Sequence, residues 1–414
     1  MVNSINCNHM KILQINSHYN QGGAGKIVAY IHEGLQKDGV ESFVAYGRGP
    51  KRQGNLFRFD NLIDIYWSAL MSRITGLNGF FNVIATRRLI KYIDTLKPDL
   101  IHLHNLHGYY LNFRILFDYL NKSSLPCVWT FHDCHAFVGN CGYFLECRKW
   151  ENGCGRCPHL HAYPNSWLFD NTRFMWNYKK SLFTKSTNKV IVSPSDWLTS
   201  EAKQSFFSKY DCRTINNGID VVNSFYLRDK AKCRKKYGFS MEDKVILGIS
   251  VGYDDPRKGV GYIIETAKVL EKEAKVILIG WDDKNRSLID GLTNVITLPV
   301  IRDTDVLAEY YSLSDVFVLP SLAENYATVS LEAMACGTPV VGFAVGGIPE
   351  QLQENKGIVV PQIDKDQFID AVKKVLSSEN GLLRGNELSK KIADHNSIDE
   401  MVGKYKETYY ELLH

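Results

Sequence analysis

The chain contains no apolar run long enough to cross a bilayer as a helix. Its first ten residues, MVNSINCNHM, show no basic stretch leading into an apolar core, so no secretory leader is expected and the chain is expected to stay in the cytoplasm. Charge of one sign is also scarce: the formal net charge is +4 and the pI about 8.4, too mild for a nucleic-acid binder. No G-x-G-x-x-G can be written after any strand candidate, which argues against a nicotinamide-dependent oxidoreductase. The phosphate loop of nucleotide hydrolases is missing too, because Lys26 is followed by Ile27 rather than Ser or Thr. With 414 residues, 45% hydrophobic content and only 12 prolines, the chain is long and apolar enough for two globular domains. Ten cysteines in a reducing compartment are expected as free thiols or metal ligands rather than bridges.

The most informative stretch that is present runs from Asp315 to Glu350. Val316 to Leu319 reads as a buried strand, followed by a polar loop containing Glu324. A helix starts near Thr328, carries Glu332, and stops at Gly337 with Pro339 just beyond. Helical side chains lean toward the amino terminus, so Glu332 aims back at the loop holding Glu324. Two carboxylates and the open N–H groups of a helix start thus converge at the carboxyl end of a strand. This suits a ligand with both hydroxyls and phosphates, such as a sugar nucleotide. An acidic first turn favoured by the helix dipole is the plainer reading of the same residues.

The amino-terminal half repeats the alternation of strand and helix. Lys11 to Ser17 is a strand, and the Gly22-Gly23-Ala24-Gly25 turn opens a helix that closes at Gly39. Glycines in that position let backbone N–H groups come close to a phosphate. Residues 61–97 read as helices; Leu89, Ile90, Ile93 and Leu96 form an apolar face, while Arg87, Arg88, Lys91 and Lys97 add charge. The face fits packing on a sheet, and the cations offer a peripheral contact with anionic lipid. Two further strands, DLIHLHN and PCVWTFHD, bring His102, His104 and His132 to strand ends. Five cysteines then fall within 134–157. Cys141, Cys147, Cys154 and Cys157 have spacing that could close a structural zinc site, pinning a loop of little apolar content. In the second half, Gly252 to Gly259 joins a strand to a helix, and Arg257 and Lys258 place two cations where a diphosphate would be neutralised. Asp303-Thr304-Asp305 stands just before a helix and reads as a cap rather than a metal motif.

Taken together, Glu324-x7-Glu332, AMACGTPVV, GGIPE and the Lys258-Gly259 pair resemble the donor-site signature of retaining glycosyltransferases of family 4, in the branch that builds capsular polysaccharides and exopolysaccharides. The resemblance extends over nearly the whole chain. It implies α/β architecture of the GT-B type, two Rossmann-like domains facing each other across a cleft. The expected division is 10–218 for the acceptor-side domain with a Cys-rich insertion at 134–161, 225–385 for the donor domain, and 386–414 as helices packing back on the first domain. It implies a catalytic pair, His132 and Glu324, and donor contacts from Gly22, Gly23, Arg257, Lys258, Asn325, Tyr326, Ala327, Thr328 and Glu332, with His104 on the acceptor side. The expected reaction moves a hexose-type sugar from a UDP- or GDP-sugar to a polysaccharide or lipid-linked glycan, with no cofactor for catalysis. One position departs from the family, which usually carries an arginine six residues before the lysine where this chain has Gly252. That departure keeps a second reading open, a sugar-nucleotide-binding subunit that acts through a partner.

Overall fold

The computed structural model describes residues 10–377 and 381–414; the stretch 1–9, read above for a leader, lies outside the described residues. The chain forms two compact units. One contains residues up to Asn217 together with Met401–His414, the other Gly218–Glu400.

The first unit holds a seven-stranded parallel sheet made of β1 (Lys11–His18), β2 (Glu41–Arg48), β3 (Leu56–Arg58), β4 (Leu100–Leu103), β5 (Cys127–Thr130), β6 (Lys189–Ser193) and β7 (Asp211–Thr214). Their order is β3-β2-β1-β4-β5-β6-β7. The second unit holds β8 (Val245–Ile249), β9 (Lys275–Ile279), β10 (Val295–Leu298), β11 (Val316–Leu319), β12 (Val340–Phe343) and β13 (Gly357–Val360), in the order β10-β9-β8-β11-β12-β13. Strands such as VILGI and VFVL are near-continuous apolar runs because helices cover both faces of a parallel sheet. In each sheet the order reverses once, between β1 and β4 and between β8 and β11. A crevice opens at the carboxyl ends of the strands flanking such a reversal, and ligands bind there.

The terminal block expected at 386–414 is divided between the two units. The helix Gly385–His395 belongs to the second: Leu388 and Ile392 enter its core, and the Gly385 amide donates to Gly337 O at 2.9 Å. Only from Met401 does the last helix, Ile398–Leu413, join the first unit. There Val402 fills the space over Gly34, where an added Cβ would come within 2.6 Å. Tyr405 OH lies 2.9 Å from Thr130 Oγ1 and Tyr409 OH 2.6 Å from His102 Nδ1. The apolar face of 386–395 thus decides its partner, whereas the tyrosines of 401–414 seek the polar groups at the end of the first sheet.

Candidate functional site

In the second unit the loops after β8 and β11 meet across the strand-order reversal. Gly259 makes this approach possible: its φ is +64°, and a Cβ there would lie 2.0 Å from Pro320 O. The Leu322 amide donates to Arg257 O at 2.7 Å, locking the two loops together. Lys258 Nζ then reaches Glu324 Oε2 at 2.9 Å, and the Asn325 amide donates to the other oxygen, Oε1, at 3.2 Å. The helix Thr328–Ala335 starts without a side-chain cap, so its first amides point into this mouth. Glu332, in the second turn, is 4% exposed and accepts from Tyr311 OH at 2.9 Å. That bond, between two buried groups, holds the carboxylate in a single orientation. The Ala327 amide goes to Gln351 Oε1 at 3.2 Å, which fixes the turn into the helix, and Asn396 Nδ2 steadies Tyr326 OH at 3.3 Å.

Two positions on this side have local settings of their own. The Arg257 guanidinium forks onto Asp255, with Nη2 to Oδ2 at 2.6 Å and Nε to Oδ1 at 3.2 Å. The two residues share one tight turn, so the arginine's charge is neutralised within it. Gly252 has φ +95° and open space around its Cα, so glycine is required by the backbone here and not by crowding. The same region borders an open cavity of about 640 Å³ at the ends of β8, β9 and β10, lined among others by Gly252, Trp281, Lys284, Leu298 and Pro299. Asp303 caps its helix as expected, accepting from the amides of Asp305 at 2.9 Å and Val306 at 3.3 Å.

In the first unit, β1, β4 and β5 deliver the remaining set. Gly22 (φ +67°) and Gly23 are exposed at the start of the helix Gly22–Lys37, and a methyl group at either would meet no atom within 4 Å. His132 follows β5. Its Nε2 lies 3.1 Å from His104 Nδ1, and His104 Nε2 lies 3.1 Å from Gln14 Oε1. Gln14 Nε2 in turn faces Val28 O at 3.4 Å, which orients the amide. With Gln14 Oε1 accepting, His104 Nε2 carries its proton and His104 Nδ1 accepts from His132 Nε2. The relay assigns the His132 proton to Nε2 and leaves Nδ1 as the acceptor nitrogen. Burial drives the His132 pKa down to about 4; Asp133 opposes the shift and His107 adds to it. His104, expected on the acceptor side, is 1% exposed with both ring nitrogens engaged, by His132 and Gln14.

These loops sit within matched family models. "Glycosyltransferase Family 4" matches residues 21–223 and "Glycosyl transferases group 1" matches 244–378, so together they span most of the chain. The chain belongs to glycosyltransferase family 4. WcaC of Escherichia coli (strain K12), named as a putative colanic acid biosynthesis glycosyl transferase, is 26% identical over 384 residues, covering 88% of this chain and 90% of WcaC. Among solved structures, sucrose-phosphate synthase from Thermosynechococcus elongatus aligns with a TM-score of 0.72 at 18% identity, covering 97% of this chain and 99% of that one. Anabaena HepE in complex with UDP and glucose aligns at 0.64 and 15% identity, covering 97% and 100%. The fold of this glycosyltransferase is accordingly GT-B.

The Cys-rich insertion of the glycosyltransferase carries the four cysteines expected as zinc ligands. Cys141, Cys147, Cys154 and Cys157 line one small pocket, yet among the described residues no three His, Cys, Asp or Glu side chains are arranged to hold a metal ion. Burial raises the thiol pKa of Cys154 to about 11. The loop also has more apolar content than its composition suggested. Trp150 is 2% exposed and packs against Phe137 and Phe144, while Arg148 covers Trp150 and Phe144 and reaches both Glu201 oxygens at 2.8 Å.

Sequence reasoning passed over three groups. His107 Nε2 lies 2.6 Å from Asp133 Oδ2, and its Nδ1 is buried with no partner. Burial alone would raise the Asp133 pKa, but His107 and the His135 amide hold it below the usual carboxylate range. The signal was faint: His107 is the third histidine of the H-x-H-x2-H run that begins within β4, and Asp133 adjoins His132. Gln14 and Tyr311, which orient His104 and Glu332, looked like ordinary core positions.

Proposed function

We propose that this glycosyltransferase moves a hexose-type sugar from a UDP- or GDP-sugar to a polysaccharide or lipid-linked glycan, with retention at the anomeric carbon and without a divalent ion. The observation that carries this reading is the Lys258–Glu324 contact across the β8/β11 reversal, with Glu332 buried behind it. Glu332 holds the ribose hydroxyls. Glu324, with the backbone of Asn325, Tyr326 and Ala327, holds the sugar. Lys258, the amides at Thr328 and the Gly22-Gly23 turn stabilise charge on the departing diphosphate. Arg257 contributes once the ligand draws it from Asp255. His132 contacts the sugar near the reacting centre, and the leaving phosphate takes the proton of the acceptor. The UDP and glucose held by Anabaena HepE support a UDP donor, and the name of WcaC supports a polysaccharide product.

Purified Glu324→Gln and Glu332→Gln should each lose transfer by about 10- to 100-fold, the cost of removing a charge-assisted hydrogen bond. Full activity in both would sink the assignment. Nucleotide-sugar stabilisation measured by thermal shift identifies the base. The engaged Arg257 and the glycine at 252 favour one alternative, a binding subunit without catalysis. Donor hydrolysis or transfer by the isolated protein, unchanged by EDTA, decides against it.

A further inference from the structure

The sheet of the first unit is parallel, so β2, β4 and β5 deliver the residues that follow them to one edge. Arg48 ends β2, and its Nη1 donates to Gly108 O, beyond β4, at 3.3 Å. The next residue, Tyr109, is buried with a left-handed backbone at φ +65°. That conformation is rare for a bulky side chain and persists only where the surroundings hold it. Part of the hold comes from Arg73, in the last turn of the helix Leu62–Thr75. Its Cζ lies 5.6 Å from the centre of the Tyr109 ring and 5.7 Å from that of Trp167. Tyr163, just past the Cys-rich insertion, closes the group. Its half-exposed ring stands edge-on to those of His107 at 5.7 Å and Tyr109 at 6.4 Å, and its hydroxyl lies over Gly108.

Three features of this cluster suit an anion. Among the described residues, neither Arg48 nor Arg73 forms an ion pair with a carboxylate. Arg73 Nε is buried with no hydrogen-bond partner, and Tyr109 OH is buried beside that guanidinium but outside hydrogen-bond geometry. Burial pushes the phenols of Tyr109 and Tyr163 up, and the charges of Arg48 and Arg73 oppose it at both, so both guanidiniums stand close enough to act on both hydroxyls. Asp133, the carboxylate that acts on Tyr163, is already engaged by His107 Nε2 at 2.6 Å and the His135 amide at 2.9 Å.

We propose that Arg48 and Arg73, with the hydroxyls of Tyr109 and Tyr163, bind an anionic group on the acceptor, a carboxylate or a phosphate carried by a sugar. Guanidinium groups match either anion, and a phenol hydroxyl donates a further bond to it. The half-exposed ring of Tyr163 offers an apolar face against which a pyranose lies. The proposal rests on the reading of this enzyme as a transferase to a glycan, and it narrows the acceptor to charged sugars.

Titration of the full chain with glucose, glucuronate and glucose 6-phosphate, which differ only at C6, tests it. Tryptophan fluorescence reads binding, with Trp167 beside Arg73 as the local reporter. Both charged sugars are expected to bind at least about tenfold tighter than glucose, the worth of one charge-assisted hydrogen bond. The tighter of the two identifies the group as carboxylate or phosphate. Arg48→Gln and Arg73→Gln should each remove most of that preference while leaving the affinity for glucose unchanged. The wild-type comparison needs neither variant, so it stays decisive should Arg73→Gln melt early. Equal affinity for the three sugars overturns the proposal, as does a folded Arg48→Gln or Arg73→Gln that keeps the full preference. A parallel titration with UDP tests the donor reading by itself: a chain that ignores UDP yet prefers the charged sugars fails that reading and keeps this site.

Discussion

Gly259→Ala perturbs one point on which the donor-side geometry depends. The left-handed backbone there (φ +64°) costs an L-residue about 1–2 kcal/mol. The added Cβ would also lie 2.0 Å from Pro320 O and 2.9 Å from its carbonyl carbon, both main-chain atoms that cannot swing aside. The loops must part by more than an ångström, adding about 1–3 kcal/mol of the kind seen when a packed site is overfilled. A total of about 2–5 kcal/mol, at about 2–4 °C per kcal/mol for a unit of this size, lowers Tm by roughly 5–15 °C. The same displacement separates Lys258 from Glu324 and so weakens nucleotide-sugar binding. Gly261→Ala, two residues on, is the internal control: an added Cβ there meets no atom within 4 Å, and alanine favours the helix Val260–Val269 by about 0.5–1 kcal/mol. Differential scanning fluorimetry and isothermal titration with UDP-sugars read both effects. Equal melting and equal affinity for Gly259→Ala and wild type would refute the reasoning.

Two further outcomes concern the first unit. Burial lowers the pKa of His32 and His132 to about 4, below the unfolded value near 6.5. The unfolded chain therefore binds more protons between those values. Stability is fully present above pH 6.5 and declines as pH falls toward 4, by up to about 1.4 kcal/mol per pH unit for each histidine. A Tm that stays level from pH 7 to 4.5 would contradict this. Arg148→Ala should destabilise by about 1–2 kcal/mol, through loss of the forked contact to mostly buried Glu201 and of the contacts over Trp150 and Phe144. In that background Glu201→Gln should cost little more, and strictly additive losses in a urea melt would show the pair is uncoupled.

Much of the architecture was legible because it rests on local periodicity. Val316 to Leu319, the helix from Thr328 and the stop at Gly337 stand where apolar runs and a glycine–proline stop placed them. The lean of helical side chains suggested that Glu332 aims at Glu324; in the structure each has its own partner, Lys258 for Glu324 and Tyr311 for Glu332. The partners of those groups were not legible, since Lys258 and Glu324 are 66 residues apart and His104 reaches Gln14 across 90. The contact of Arg257 with Asp255, two residues away, was not read from the sequence although both lie in one turn. The aromatic core around Trp150 was not legible either, because Phe137 and Phe144 lie apart from it in sequence within a loop that composition makes look bare.

The division of the carboxyl terminus sets how the two units are connected along the chain. Because Met401–His414 rejoins the first unit, the whole of Gly218–Glu400 is an insertion within it, and the chain crosses between the units twice. A hybrid enzyme made to exchange donor preference therefore needs two junctions, near 217 and near 400, rather than one. A stop codon before residue 401 would leave the second unit with all its own strands. It would strip Tyr405 and Tyr409 from Thr130 and His102, exposing the buried floor beneath the histidine relay at the opposite end of the gene.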